Sequence, residues 1–271
     1  MSSIVFIGGG NMASCLIGGM IAKGVSCHNI TVSEPKQNAR ESLSNRFGID
    51  VTDDNQQAVK RADIVILAVK PQIMRKVTMD LAASLDSSAV VVSIAAGISI
   101  ESLQIWLGES TSIVRAMPNT PSLVLVGATG LYANELTRQS QQDSVLAIFE
   151  AIGYCCWVSD EAQIDAIIAV SGSGPAYFFK ILEIMQSIGQ ELGLPEKLAT
   201  ELAKQTALGA ATMANQSEFS PAELRKQVTS PNGTTEKALN VFQTEDLEAT
   251  FRRAMNSASE RSKEMAKDFS A

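Results

Sequence analysis

The feature that most constrains this chain is a change of periodicity near residue 160. Up to that point short β-branched runs alternate with helical spacing. The runs read SIVFIG, ITVSE, IDVTD, DIVILAVKP, AVVVSIAAG, TSIVRAM, GLYAN and YCCWVSD, with stretches such as QIMRKVTMDLAASL and SVLAIFEAIG between them. Strands alternating with helices predict βαβ units, and continuously apolar strands predict a parallel sheet covered on both faces. From Glu161 the strand signal stops. About 110 residues remain, with helical spacing interrupted at SGSGP, GLP, SPAE and TSPNG, where proline after a break marks the first turn of a helix. The expectation is an α/β chain with a sheet domain over 1–160 and an all-helical domain over 161–271.

The first strand runs straight into IVFIGGGNMASCLIGG, which sets Gly8, Gly10 and Ala13 in the G-x-G-x-x-G/A spacing of a dinucleotide-binding, Rossmann-type unit. Gly8 permits the tight turn, Gly10 lets a pyrophosphate approach the backbone, and Ala13 keeps the helix close to the sheet. The N–H groups and dipole at that helix start face the phosphates. Glycine-rich turns are common, so the strand–turn–helix context carries the reading. The second strand ends ITVSEP, where an acid ordinarily bonds the ribose 2′-hydroxyl of NAD, so Glu34 argues for NAD(H). Lys36 and Arg40 follow and would suit the 2′-phosphate of NADP(H), or be plain solvated charges, so the choice stays open. Two further loops, Ala68–Val69–Lys70–Pro71 and Ile94–Ala95–Ala96–Gly97, close later strands at the edge where open sheets bind ligands. Lys70 reads equally as a cofactor-side cation or a helix-flanking lysine, and Asn119 in RAMPNTP reads as an Asx-turn.

Composition excludes other classes. A net charge of −7 opposes a nucleic-acid surface. No apolar run approaches the ~20 residues of a membrane span, and the N-terminus enters structure without a basic leader. Cys15, Cys27, Cys155 and Cys156 show neither CxxC nor metal-ligand spacing. The vicinal pair reads as core thiols on a strand, and a reduced cytoplasmic protein fits best. The single histidine, His28, disfavours metal sites and histidine-dependent chemistry, and it reads as a surface residue.

The stretch TSPNGTTEK, Thr229 to Lys237, breaks a run of amphipathic helix. Gly233 suits an N-cap, with Glu236 three residues on, so a helix begins here. Its unpaired N–H groups suit an anion. By composition alone, the favoured reading is an ordinary cap between packed helices.

FIGGGNM, AVKP, SIAAG, RAMPNTP, SGSGPAY and TSPNGTT, in this order and at these separations, resemble pyrroline-5-carboxylate reductase over essentially the whole chain. The resemblance implies NAD(P)H-dependent reduction of 1-pyrroline-5-carboxylate to L-proline. It also implies a Rossmann domain followed by a helical dimerisation domain. Carried over by motif, the cofactor meets Ile7, Gly8, Gly9, Gly10, Asn11, Met12, Asn55, Ala68 to Pro71, and Ala95 to Gly97. The substrate meets Gly233, Thr234 and Thr235, with Thr235 and Ser230 as the catalytic pair. Thr235 would bond the ring nitrogen and hold the C=N carbon against the nicotinamide. Glu161 and Glu218 carry over from looser motifs to the substrate side. The resemblance further implies an interleaved homodimer, extending to a decamer of five dimers, whose helices complete each other's sites. The family favours NADPH, while Glu34 stands where other members often have a small hydroxyl residue. Both NADPH and NADH are therefore expected, with Glu34 narrowing the gap. Asn232 replaces a glycine of many members, and Asn also tolerates a left-handed backbone.

Two alternatives have different signatures. A 3-hydroxy-acid dehydrogenase would use a lysine of the second domain, but Lys180 lies too far after SGSGP, and Ile184 stands where an asparagine is needed. A non-catalytic nucleotide sensor has no use for the hydroxyl-rich loop.

Overall fold

The computed structural model describes residues 2–270. Eight strands form one sheet in the order β3-β2-β1-β4-β5-β6-β7-β8. They are β1 (Ile4–Ile7), β2 (Ile30–Ser33), β3 (Asp50–Thr52), β4 (Ile64–Leu67), β5 (Val90–Ser93), β6 (Ser112–Met117), β7 (Gly127–Ala133) and β8 (Gly153–Trp157). Every strand-like run of the sequence is a strand. β1 to β6 are parallel and in register, with Ile4 opposite both Ile30 and Ile64. The sheet is thus mostly parallel, as expected; one strand departs, β7, which pairs antiparallel with β6, while β8 runs parallel to β7. The connection over 118–126 holds only a short 3-10 turn, Thr120–Val124. A parallel return needs a crossover of about a dozen residues or more, so the chain folds straight back.

The crossovers are α1 (Asn11–Ala22), α2 (Gln37–Phe47), α3 (Asn55–Val59), α4 (Pro71–Leu81), α5 (Ile100–Leu107) and α6 (Gln139–Glu150). Successive residues of a strand point to opposite faces, so β1 feeds two cores. Ile4 and Phe6 join Leu16, Ile17, Met20 and Phe149 on one face. Val5 and Ile7 join Leu67, Met74, Leu81 and Trp106 on the other. Burial on both faces is why the strands read as uninterrupted apolar runs.

Six helices follow: α7 (Gln163–Ile167), α8 (Gly174–Glu191), α9 (Glu196–Gln216), α10 (Pro221–Gln227), α11 (Thr234–Thr244) and α12 (Leu247–Ser270). SGSGP is not the expected break. A π-helical turn, Ile168–Gly172, carries the backbone from α7 into α8, with Ser173 N–H donating to Ile168 O at 2.7 Å, and Pro175 takes a first-turn place where no N–H is needed. The run Gln163–Glu191 is thus long and apolar enough, by length and composition, to cross a membrane. It contains Asp165, Lys180 and Glu183, and Ile164, Ile168 and Ala169 at its start are buried.

The chain packs as two compact units, one holding residues up to Ser173 together with those from Ser257, the other Gly174–Asn256. The first unit therefore keeps α7 and the end of α12, which helical spacing alone assigned to the second. Ser262 Oγ, 3% exposed as a residue, donates to Asp165 Oδ1 at 2.6 Å. A Cβ on Gly97 would lie 2.7 Å from Met265 Cβ.

Candidate active site

In the first unit the glycine-rich turn closes β1. Gly8 has φ +99°, and a Cβ there would lie 2.8 Å from Ala68 O; its N–H donates to Ser33 O at 2.8 Å. Gly10 is the N-cap of α1, with no side-chain cap, and a Cβ added to it would meet nothing within 4 Å. Ala13 is fully buried. The first N–H groups of α1 thus face open space across a backbone without side chains, an arrangement that fits a pyrophosphate.

The in-register parallel strands bring the carboxyl ends of β1 to β5 to one edge. Ile7 to Met12, Glu34, Asn55, Ala68 to Pro71 and Ala95 to Gly97 all lie along it. Crossovers leave β1 and β4 in opposite directions there, as the strand order requires, which is the switch point where such sheets bind ligands. Lys70 is exposed at the N-cap of α4, with Pro71 at its first position. Asn55 Oδ1 accepts from Ser33 Oγ at 2.6 Å. Gly97 takes φ +74°.

Glu34 is seated on the turn itself. Its Oε2 accepts from Gly9 N–H at 3.0 Å and its Oε1 from Lys36 N–H at 3.2 Å. Arg40 Nη1 donates to Glu34 O at 2.7 Å and Pro35 O at 2.9 Å. Arg40 Nη2 lies 3.3 Å from Asp53 Oδ2. Sequence spacing named Arg40 but gave no sign of Asp53.

Two other polar side chains tie the first unit together. The Asn119 side chain makes no Asx-turn: its Oδ1 accepts from Ala128 N–H at 2.9 Å and its Nδ2 donates to Ser171 O at 3.0 Å. Glu161 Oε1 accepts from Arg115 Nη1 at 2.6 Å and from Ile100 N–H at 2.8 Å. Arg115 lies inside the apolar run SIVRAM and is only 6% exposed. A buried arginine needs a carboxylate, and that was the signal for this pair.

In the second unit α11 starts at the hydroxyl-rich loop. Asn232 is left-handed, φ +60°. Gly233 is the N-cap, extended and without side-chain capping. Its N–H donates to Ser230 O at 3.0 Å. Glu236 reaches past the N-cap to accept from Asn232 N–H at 2.9 Å, one residue short of a capping box. Thr234 and Thr235 are exposed at the helix start, as are Ser230 and, further back, Glu218. Lys180 is exposed and paired with Glu183 at 2.7 Å, a solvated pair rather than an acid–base group.

The comparisons with known proteins cover the whole chain. A family model for "Pyrroline-5-carboxylate reductase dimerisation" matches residues 161–265. One for "NADP oxidoreductase coenzyme F420-dependent" matches residues 3–97. The pyrroline-5-carboxylate reductase of Pseudomonas aeruginosa is 51% identical over 97% of this chain and 96% of its own. The solved structure of the Coxiella burnetii pyrroline-5-carboxylate reductase is 43% identical, with a TM-score of 0.94 over 98% of each chain. The Plasmodium falciparum pyrroline carboxylate reductase, solved with NADP bound, is 28% identical, with a TM-score of 0.86 over 98% of each chain. A glycine-rich turn at the switch point, a hydroxyl-rich helix start and relatives matched from end to end make this chain a member of the pyrroline-5-carboxylate reductase family.

Proposed function

We infer that this chain reduces 1-pyrroline-5-carboxylate to L-proline, using a reduced nicotinamide dinucleotide and accepting both NADPH and NADH. The observation that carries the reading is the start of α11, where uncapped N–H groups stand beside the hydroxyls of Thr234 and Thr235. A small anionic substrate suits that start: the N–H groups and helix dipole receive its carboxylate. A cyclic imine takes its proton from water, so no histidine is required. The Thr235 hydroxyl oxygen then accepts from the iminium N–H, and the Ser230 carbonyl, held by Gly233 N–H, keeps the loop in shape. When bound, the dinucleotide supplies the hydride. The chain's own contribution is orientation and electrostatics.

In the first unit the groups of Ile7 to Met12, Asn55, Ala68 to Pro71 and Ala95 to Gly97 would hold the dinucleotide, with Gly8 and Gly10 admitting its phosphates. Glu161 and Glu218 belong to the substrate side of this reading. Glu161 would act through Oε2, since Oε1 is committed to Arg115 and Ile100.

We propose a functional division near 160/161, supported by a dimerisation match that begins at 161. The same match supports a homo-oligomer. The decamer of five dimers and a cytoplasmic setting extend the family resemblance, and four unpaired cysteines suit a reducing compartment. A surface of net charge −7 suits no nucleic-acid partner.

The test is an absorbance assay of the reduced dinucleotide with 1-pyrroline-5-carboxylate. Substrate-dependent oxidation with formation of proline is expected. Oxidation of 3-hydroxy acids without reduction of the imine would replace this reading with the dehydrogenase one, and no turnover of either would favour a sensor.

A further inference from the structure

We propose that the link between β6 and β7 is a prebuilt docking ledge for a second copy of this chain. The inference rests on the homo-oligomer reading and extends its interface from the helical segment to the sheet unit. The ledge is Leu123, Val124, Leu125 and Val126, four apolar residues in a row, each half exposed or more. Single exposed apolar residues are ordinary, but a contiguous patch marks an interaction surface.

Three observations suit a partner. First, the backbone of the link is fixed. Asn119 is buried and commits both ends of its side-chain amide, accepting from Ala128 N–H at 2.9 Å and donating to Ser171 O at 3.0 Å. Leu125 N–H donates to Ser122 O at 3.0 Å, and Gly127 N–H to Ile152 O at 2.9 Å. The four side chains are thus displayed on a pinned backbone, which lowers the ordering cost of association. Second, Leu125 is left-handed, with φ 61° and ψ 24°. That conformation favours glycine or asparagine and strains leucine. A leucine that meets only water gains nothing to offset the strain; one seated on a partner does. Third, charge is absent. No Asp, Glu, Lys or Arg occurs between Arg115 and Glu135, or between Asp165 and Lys180. Interface cores are depleted in charge, whereas a membrane surface calls for bases beside the apolar residues.

Continuity singles out a second copy. The Asn119–Ser171 bond ties the link to the π-helical turn, where Val170 also stands exposed. That turn lies inside residues 161–265, the segment matched by the dimerisation family. The same segment carries the uncovered apolar side chains of Phe178 and Phe179. In a two-fold dimer every contact occurs twice, so ledge and helical face can be exchanged between the copies.

The experiment is sedimentation velocity of the full-length protein, diluted to nanomolar with fluorescence detection, with amide hydrogen exchange at both ends of the series. In the wild type, the peptide spanning 122–127 should exchange several-fold more slowly when associated than when dilute. Leu125→Asn relaxes the backbone and removes the apolar side chain. In a loop that meets only water, this variant would associate like the wild type and melt no lower. On a seated ledge it should raise the dissociation constant about tenfold or more, with circular dichroism unaltered. Val126→Lys leaves the left-handed residue alone and should act in the same direction. Two variants that associate as tightly as the wild type, or exchange at 122–127 that ignores dilution, would overturn the proposal. Flotation of the wild type with phosphatidylcholine–phosphatidylglycerol vesicles, lost in both variants, would give the ledge to a membrane instead. A wild type that stays monomeric at every concentration would remove the homo-oligomer reading itself, and the ledge with it.

Discussion

The two units bury their apolar residues in opposite ways. The sheet unit closes two cores of its own, and Phe6, Leu16, Leu67, Met74 and Phe149 are all fully enclosed. The unit Gly174–Asn256 also carries many large apolar residues, yet only Gly174, Ala199 and Ala203 are buried in it. Phe178, Phe179, Phe242 and Leu208 stand more than half exposed. A single chain thus folds its dinucleotide half by itself and leaves its helical half unfinished. Apolar surface on this scale marks a protein interface, in keeping with a homo-oligomer whose helical segment matches a dimerisation family.

The sharpest way to break that comparison is to place a charge at equally exposed apolar positions in each unit. Ile105 on α5 is 71% exposed and Phe179 on α8 is 64% exposed. As isolated surface residues both would change stability by about 0.5 kcal/mol or less. Ile105→Glu should do so. Phe179→Glu should instead dissociate the oligomer, because a buried interface aromatic costs roughly 2 kcal/mol or more when lost, and symmetry doubles the loss. Sedimentation velocity and activity report the outcome: a fully active monomer, or an unchanged oligomer in Phe179→Glu, would sink the argument.

The second test acts on the self-sufficient unit. In Gly8→Ala the backbone stays at φ +99° only under strain of about 1–3 kcal/mol. The new Cβ also presses on Ala68 O, a backbone atom that cannot swing aside. Dinucleotide affinity should fall about a hundredfold, roughly 2.7 kcal/mol, while the oligomer measured by sedimentation stays whole. Loss of both together would mean that the units are not separable as described.

How far the sequence was legible follows the same division. All eight strands and the glycine turn were readable, because burial on both faces leaves uninterrupted apolar runs and a turn at φ +99° demands glycine. The antiparallel β7 was missed, since side-chain period carries no direction; the short helix-free link over 118–126 was the available clue. Helical spacing gave α7 to α12 but not their allegiance. Nothing in MAKDFS says that the last helix returns to the sheet unit near Gly97. Among polar groups, Glu34 and Gly233 were readable from position. The Arg40–Asp53 clasp and the two bridges of Asn119 arise from tertiary approach and leave no local spacing.

A third test touches the unfinished unit at its one proposed chemical site. Thr235→Val keeps the shape of the side chain and removes the hydroxyl. A bond to the charged ring nitrogen is worth roughly 1.5–3 kcal/mol. If it acts in the transition state, kcat/KM falls about ten- to a hundredfold. Calorimetric dinucleotide affinity should hold, because that site belongs to the other unit. Wild-type turnover in this variant would return the loop to a plain helix cap.

The smallest expected effect concerns the vicinal cysteines on β8, the edge strand of the finished unit. Burial, then the neighbouring Cys156 and Glu150, push the Cys155 thiol up to about 12. At pH 8 a thiol of that pKa is only about 0.01% thiolate, against roughly a quarter for an ordinary cysteine. The thiolate is the nucleophile, so alkylation of native Cys155 should be about a thousandfold slower than in the unfolded chain, as mass spectrometry of timed samples would show. Activity should not depend on reductant. The sign follows from the charge: desolvation in the sheet unit penalises the anion, so reactivity rises only as pH climbs towards 12. Rapid native labelling at pH 8, or a Cys155–Cys156 disulfide that changes turnover, would show that this edge of the sheet is less closed than its core, and the contrast between the two units correspondingly weaker.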